Sequence, residues 1–196
     1  MILKEATVGA IRYAIWQLDE SIAALQRLID HRFEVSLEGL ANPTRQKERL
    51  AVHLLIEHLC QGHQPMAHHG NGEPYLVDYP QHISISHTKN YVAVAIAPFR
   101  IGIDIEYNSS RVWRIGEKFL NEQELAAIHT SPEAVKRMLL YWCSKEALYK
   151  KLPQDEPNFQ QFTCSLNNDN QLTIAFQKQK YPLHYEVNDN FTFVIG

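Results

Sequence analysis

Asp104 and Glu106 stand two positions apart in a stretch, Phe99 to Tyr107, that alternates strictly between apolar and polar residues. In an extended chain Phe99, Ile101, Ile103, Ile105 and Tyr107 then share one face, and Arg100, Gly102, Asp104 and Glu106 the other. Gly102 removes the side chain that would otherwise fill the space beside the carboxylates. Two carboxylates projecting side by side suit a hard metal ion. The same alternation also describes an antiparallel strand whose outer face is in water, and the strand alone leaves both readings open.

A third carboxylate is harder to read as solvated. On a helical wheel Val135, Met138, Leu139 and Trp142 form one apolar stripe, and Glu146 falls near its centre. Burying an unpaired carboxylate costs several kcal/mol, so it calls for a cation, a metal or a raised pKa. Lys150, one turn on, offers an ordinary helix pair worth about 0.3–0.5 kcal/mol, which leaves the apolar neighbours of Glu146 unexplained. If Asp104, Glu106 and Glu146 converge, a divalent cation must neutralise them, and an all-oxygen set suits Mg²⁺ or Mn²⁺ rather than Zn²⁺. The chemistry implied is phosphoryl or pyrophosphate chemistry.

Groups able to meet phosphate occur earlier in the chain. Ser84-Ile85-Ser86-His87-Thr88 closes a strand with hydroxyls and an imidazole, and Arg45, Lys47 and Arg49 crowd the start of a helix, whose N-terminus favours anions. Taken singly, a histidine at a strand end reads as structural and a basic helix start as a solvated face. Cys60, His63, His68 and His69 raise a zinc site in a histidine-rich loop, but the spacing has no matched second half and equally fits a plain surface loop.

These residues need a scaffold to hold them. Ile11, Tyr13 and Ile15 alternate as a strand, Asp19 opens a helix to about Ile29, and Asn42-Pro43 caps a second helix through Leu50, Leu54, Leu55 and Leu59. A loop from Gly62 to Gly72 precedes strands at Ile83 to Ile85 and Tyr91 to Ala97. After Phe99–Tyr107 come a loop at Asn108-Ser109-Ser110, a short helix at Gln123 to His129, and a long helix that starts at Ser131-Pro132 and ends before Pro153. The rest, from Phe162 to Phe193, reads as three or four antiparallel strands separated by Asn and Asp turns. The fold class is α+β, two helix-plus-sheet halves spanning residues 1–98 and 99–196.

With 196 residues the chain is long enough for one large domain or two small ones. Lys and Arg total 19 against 22 Asp and Glu, a net charge of −3 that argues against a nucleic-acid binder. Hydrophobic content of 45% with 21% charged residues excludes disorder as the main description. Cys60, Cys143 and Cys164 are too scattered for a disulfide framework, which points to a reduced, cytoplasmic setting. The first residues lack a basic segment ahead of an apolar run, and no run is long enough for a membrane span, so neither export nor membrane insertion is expected.

Ile101-Gly102-Ile103-Asp104-Ile105-Glu106, followed about forty residues later by Trp142-Cys143-Ser144-Lys145-Glu146-Ala147-Leu148-Tyr149-Lys150, resembles the paired signature of the 4′-phosphopantetheinyl transferases, G-[IV]-D-x-E and W-x-x-K-E-[AS]-x-x-K. The resemblance extends to Gly72-Glu73-Pro74, Ser86-His87, Phe119 to Glu124 and the Arg45 to Leu55 helix. In length the chain matches the monomeric, surfactin-synthetase-activating type, in which two similar halves related by a pseudo-twofold axis enclose coenzyme A.

The resemblance implies Mg²⁺-dependent transfer of the phosphopantetheine arm of coenzyme A, the co-substrate, to a serine of an apo acyl carrier protein or a carrier domain of a fatty-acid, polyketide or peptide synthase. Adenosine 3′,5′-bisphosphate would leave. By position, Asp104, Glu106 and Glu146 would hold the metal. His87, Lys145 and Lys150 would contact coenzyme A phosphates, Arg45 its 3′-phosphate and Ser86 a phosphate oxygen, while Gly72, Glu73 and Pro74 would border the adenine. Glu124, or a metal-bound water, would accept the serine proton. This chain has Glu73 where the family turn carries Lys, His53 where many relatives carry Arg, and Lys151-Leu152-Pro153-Gln154 in place of a Gly-containing continuation. A non-catalytic relative that binds coenzyme A or a carrier protein is the alternative.

Overall fold

The computed structural model describes residues 1–30, 32–33, 35–152, 157–167 and 169–196. The chain divides into two units, Met1–Arg100 and Ile101–Gly196, each built from an antiparallel sheet and a long helix.

In the first unit β1 (Ile2–Val8), β2 (Ile11–Gln17), β5 (His82–Thr88) and β6 (Tyr91–Ala97) form a sheet in the order β1-β2-β6-β5. A short ribbon pairs β3 (Met66–His68), inside the segment expected to be loop, with β4 (Pro74–Leu76) just after it. Helix α1 (Ile22–Leu28) is capped by Ser21, whose hydroxyl accepts from the Ala24 N–H, two residues later than the expected start at Asp19. Helix α2 (Pro43–Cys60) begins as expected, with the Asn42 side chain accepting from the Thr44 N–H and Pro43 in the first turn. It ends at Gln61, which adopts a left-handed conformation. Leu50, Leu55, Ile56 and Leu59 of α2 are buried with Trp16, Val92, Val94 and Ile96 of the sheet, each large aliphatic side chain contributing about 1.5–3 kcal/mol.

Strand β1 went unanticipated. Its side chains alternate between half-buried Ile2, Lys4, Ala6 and Val8 and exposed Leu3, Glu5 and Thr7. At a sheet edge neither face is fully covered, so the sequence lacks the apolar period that marks a strand with one buried face.

In the second unit β7 (Ile103–Tyr107) lies at one edge of a five-stranded sheet with β8 (Thr163–Leu166), β9 (Leu172–Phe176), β10 (Gln179–Val187) and β11 (Phe191–Ile195), in the order β7-β11-β10-β9-β8. The ladder begins at Ile103 rather than Phe99, and Gly102 extends it by exchanging backbone hydrogen bonds with Gly196 at 3.0 Å each. After β7 come a 3₁₀ turn at Ser110–Ile115, α3 (Gly116–Phe119), α4 (Glu122–His129) and α5 (Ala134–Lys151). Helix α5 lies on β7 and β11. Pro153 and Gln154 fall outside the described residues. Among the described residues no helix is long and apolar enough to cross a membrane.

Candidate active site

The polar face of β7, which the strand alone left open between a solvated face and a metal site, is covered at Asp104. Asp104 is only 5% exposed, and the reason is the close approach of α5. A Cβ built on Gly102 would stand 1.8 Å from the carbonyl oxygen of Ala147, so only glycine lets the helix backbone come this near the strand. Gly102 in the first motif and Ala147 in the second are therefore two sides of one contact.

That contact brings the acidic residues together. Lys150, on the last turn of α5, donates to Asp104 Oδ1 at 2.8 Å and to the Ile103 carbonyl at 2.9 Å. Its ammonium thus turns to the strand, where the helix spacing alone pairs it with Glu146. The indole N–H of Trp142 donates to Glu106 Oε1 at 3.4 Å. Trp142 is partly buried among Phe119, at 5.0 Å, and Phe159, at 5.5 Å. The wheel identified it as an apolar stripe residue; its polar edge also orients a carboxylate.

Glu146 is half-buried, and its carboxyl is pushed up to about 7 by burial first, then by the negative charges of Asp104 and Glu106, against the lowering effect of Lys150. The three carboxylates therefore feel one another. With one lysine among them their formal charge is −2, which a single divalent cation would balance, and the all-oxygen donor set is the kind that Mg²⁺ takes. Asp104, Glu106 and Glu146 are the residues that would hold such an ion, although their donor atoms are not among the sets that all lie within 4.8 Å of one another in the described residues.

The neighbouring residue on α5 has a different fate. Lys145 is wholly buried and donates to Glu124 Oε2 at 2.6 Å and to the Phe119 carbonyl at 2.7 Å. Glu124 is 3% exposed. Its Oε2 also accepts from the Asn121 N–H at 3.0 Å, closing a capping box on α4, and its Oε1 accepts from the Cys164 N–H at 2.7 Å. The expected roles of Glu124 as general base and Lys145 as coenzyme A ligand do not fit this placement: both oxygens of Glu124 are taken and the pair is sealed from solvent. The side chains instead tie α3, α4, α5 and β8 together. Sequence alone could not separate Lys145 from Glu146, which adjoin in one motif.

In the first unit, α2 and β5 bring together two of the expected phosphate contacts. Arg45 Nη1 lies 3.1–3.2 Å from both ring nitrogens of His87. Between them stands Glu48, 7% exposed, which accepts from Arg45 Nη1 at 2.8 Å and lies 3.7 Å from His87 Nδ1. Among Arg45, Lys47 and Arg49, a lone Glu looks like part of a charged surface, and nothing in the sequence marked it as buried.

Arg45, Glu48, Arg49 and His87 line a cavity of about 610 Å³ closed on its apolar side by Val52, Ile56 and Ile85. Ser86 is buried and points to the opposite side of β5 from His87. Gly72 has φ +86, the left-handed backbone that glycine adopts readily, and its N–H donates to the His69 carbonyl in the turn between β3 and β4. Glu73, in the position where the family turn carries Lys, is held by both Nη2 contacts of Arg100, at 2.5 and 2.7 Å. Its negative charge is thereby compensated within the turn.

A family model described as "4'-phosphopantetheinyl transferase superfamily" matches residues 100–195. Over 177 residues the chain is 25% identical to 4'-phosphopantetheinyl transferase psf-1 of Bacillus pumilus, covering 87% of this chain and 75% of that protein. It is 26% identical over 136 residues to 4'-phosphopantetheinyl transferase Sfp of Bacillus subtilis (strain 168), covering 63% and 58%. With 4'-phosphopantetheinyl transferase gsp of Aneurinibacillus migulanus it shares 32% identity over 83 residues, 41% of this chain and 35% of that one. The crystal structure of Thermotoga maritima holo-[acyl-carrier-protein] synthase aligns with a TM-score of 0.38 at 17% identity, over 48% of this chain and 61% of that one. The match to psf-1 is too long to be confined to the second unit. Residues 100–195 match the 4′-phosphopantetheinyl transferase superfamily, and the relatives of the chain, named 4'-phosphopantetheinyl transferases, support transfer of phosphopantetheine to carrier proteins.

Proposed function

We propose that the chain carries out this transfer with Mg²⁺, or Mn²⁺, held by Asp104, Glu106 and Glu146, and with coenzyme A as donor. The observation that carries the reading is a carboxylate, Glu146, placed in a half-buried setting beside Asp104, Glu106 and Lys150, where burial first and then the neighbouring negative charges push it up to about 7. A fold does not keep such repulsion without use for it. When bound, the cation would polarise the pyrophosphate of coenzyme A and offset charge on the leaving bisphosphate.

The remaining chemistry belongs to the side chains. Lys150 fixes Asp104, and Trp142 fixes Glu106, so that neither ligand must be ordered when substrate arrives. Arg45 and His87, restrained by Glu48, take phosphate oxygens of coenzyme A, and the turn at Gly72, Glu73 and Pro74 borders its adenine. Glu124, sealed in the core with both oxygens occupied, is not placed to accept the serine proton. The acceptors are the serine of an apo acyl carrier protein or of a carrier domain of a fatty-acid, polyketide or peptide synthase. The protein acts as a monomer in the cytoplasm, a setting that its three free cysteines suit.

The test is incubation with Mg²⁺, coenzyme A and a panel of apo carriers, read by mass spectrometry. The expected result is the phosphopantetheine mass increment on at least one carrier, abolished by chelation. Coenzyme A binding without modification of any carrier, while a known transferase modifies them, would overturn the enzymatic reading.

A further inference from the structure

We propose that His53, Glu57 and His63 form a second metal site, selective for a nitrogen-seeking divalent ion such as Zn²⁺ and separate from the carboxylate cluster. The three side chains offer one donor atom each, all within 4.8 Å of one another. His53 and Glu57 are one turn apart on α2, and His63 returns to them just beyond the helix end.

The spacing is that of a coordination sphere. His53 Nε2 lies 3.2 Å and His63 Nδ1 3.3 Å from the same atom, Glu57 Oε1. Zinc bonds of about 2.0–2.2 Å at tetrahedral angles place neighbouring ligand atoms about 3.3–3.5 Å apart. The two edges seen here therefore need almost no adjustment. His63 Nδ1 is within hydrogen-bonding distance of Glu57 Oε1, whereas His53 Nε2 is buried with no hydrogen-bond partner among the described residues.

His53 is largely enclosed, with its Nε2 turned toward Glu57 Oε1. The Phe33 ring stacks on His63 at 3.5 Å and fixes the plane of that imidazole. His53 and His63 both line the 610 Å³ cavity, so the fourth position opens to it. The loop residues Cys60, His68 and His69 that spacing suggested as zinc ligands are not part of the set. The partner of His63 is the face of the preceding helix, which a spacing pattern confined to the loop could not find. Two imidazoles and one carboxylate bind Zn²⁺ far better than Mg²⁺, so the two metal sites do not compete for one ion.

The experiment titrates tag-free protein with Zn²⁺ against a chromogenic chelator in excess Mg²⁺, and repeats the titration with Co²⁺ to read its visible spectrum. One equivalent should bind, with the intense absorption of a tetrahedral cobalt centre. His53→Ala and Glu57→Gln should each weaken binding by about tenfold or more, with thermal melting confirming that both variants fold. The His68→Ala/His69→Ala double variant should bind as the parent does. Absence of stoichiometric uptake, uptake indifferent to both single variants, or loss of uptake in the double variant would each overturn the proposal.

Discussion

Two lysine–carboxylate pairs sit on the same helix of this protein and do opposite things. Lys145 and Glu124 are fully enclosed, at 2.6 Å, with both carboxylate oxygens occupied by further donors. Lys150 and Asp104, at 2.8 Å, are joined by Glu106 and Glu146, so that negative charge exceeds positive and the lysine is 29% exposed. The first pair is electrostatically complete and can only hold. The second is short of positive charge and can bind. Buried carboxylates point to function when the charge imbalance is retained, and to structure when it is closed.

The largest expected effect sharpens the open side of this contrast. Glu146→Gln keeps size and hydrogen-bonding capacity but removes one charge from the set, and Asp104→Asn does the same from the strand. Each should lower transfer to a carrier by at least about a thousandfold, as expected for loss of a metal ligand, while circular dichroism remains near that of the parent. Transfer within about tenfold of the parent in either variant would mean that the chemistry lies elsewhere.

The closed side predicts the reverse pattern. Lys145→Met leaves Glu124 buried without its cation, which should cost about 3–5 kcal/mol in urea unfolding. Lys145→Met combined with Glu124→Leu should recover much of that loss, since apolar replacement of a whole buried pair is often neutral. If instead Lys145→Met unfolds like the parent and only weakens coenzyme A binding, Lys145 belongs with the open cluster and the contrast collapses.

How much of this could be read from residues alone follows the same division. The α+β class, both long helices and most strands were legible because their apolar periods and caps are local: Asn42-Pro43 announces α2, and Tyr91–Ala97 is uninterruptedly apolar. The half-buried setting of Glu146 was legible because it interrupts an apolar stripe. Glu48 and the sealing of Glu124 were not, because burial of a charged residue depends on which distant groups meet it, here His87 and the Cys164 amide. Gly102 was recognised as making space, but what occupies the space, the Ala147 carbonyl, is a tertiary fact. Strand β1 was missed because an edge strand has no fully buried face to betray it.

The smallest effect probes the imbalance directly, without turnover. A carboxyl whose pKa is about 7 when folded, against an ordinary 4.5, prefers its protonated form in the folded protein. Folding then takes up a proton. Glu146 therefore costs nothing below its unfolded pKa, destabilises progressively as pH rises from 4.5 to about 7, and exerts its full penalty above that. Allowing for partial solvent screening, the penalty is on the order of 1–3 kcal/mol. Metal-free parent and Glu146→Gln should thus unfold alike near pH 4.5 and diverge with rising pH, the variant becoming the more stable by that amount at pH 8. Excess Mg²⁺ should narrow the gap at pH 8, because the cation stabilises only the parent's complete ligand set. A gap that is independent of pH, or a parent more stable than the variant in chelator at pH 8, would show that the three carboxylates do not repel one another and that the second lysine pair is as closed as the first.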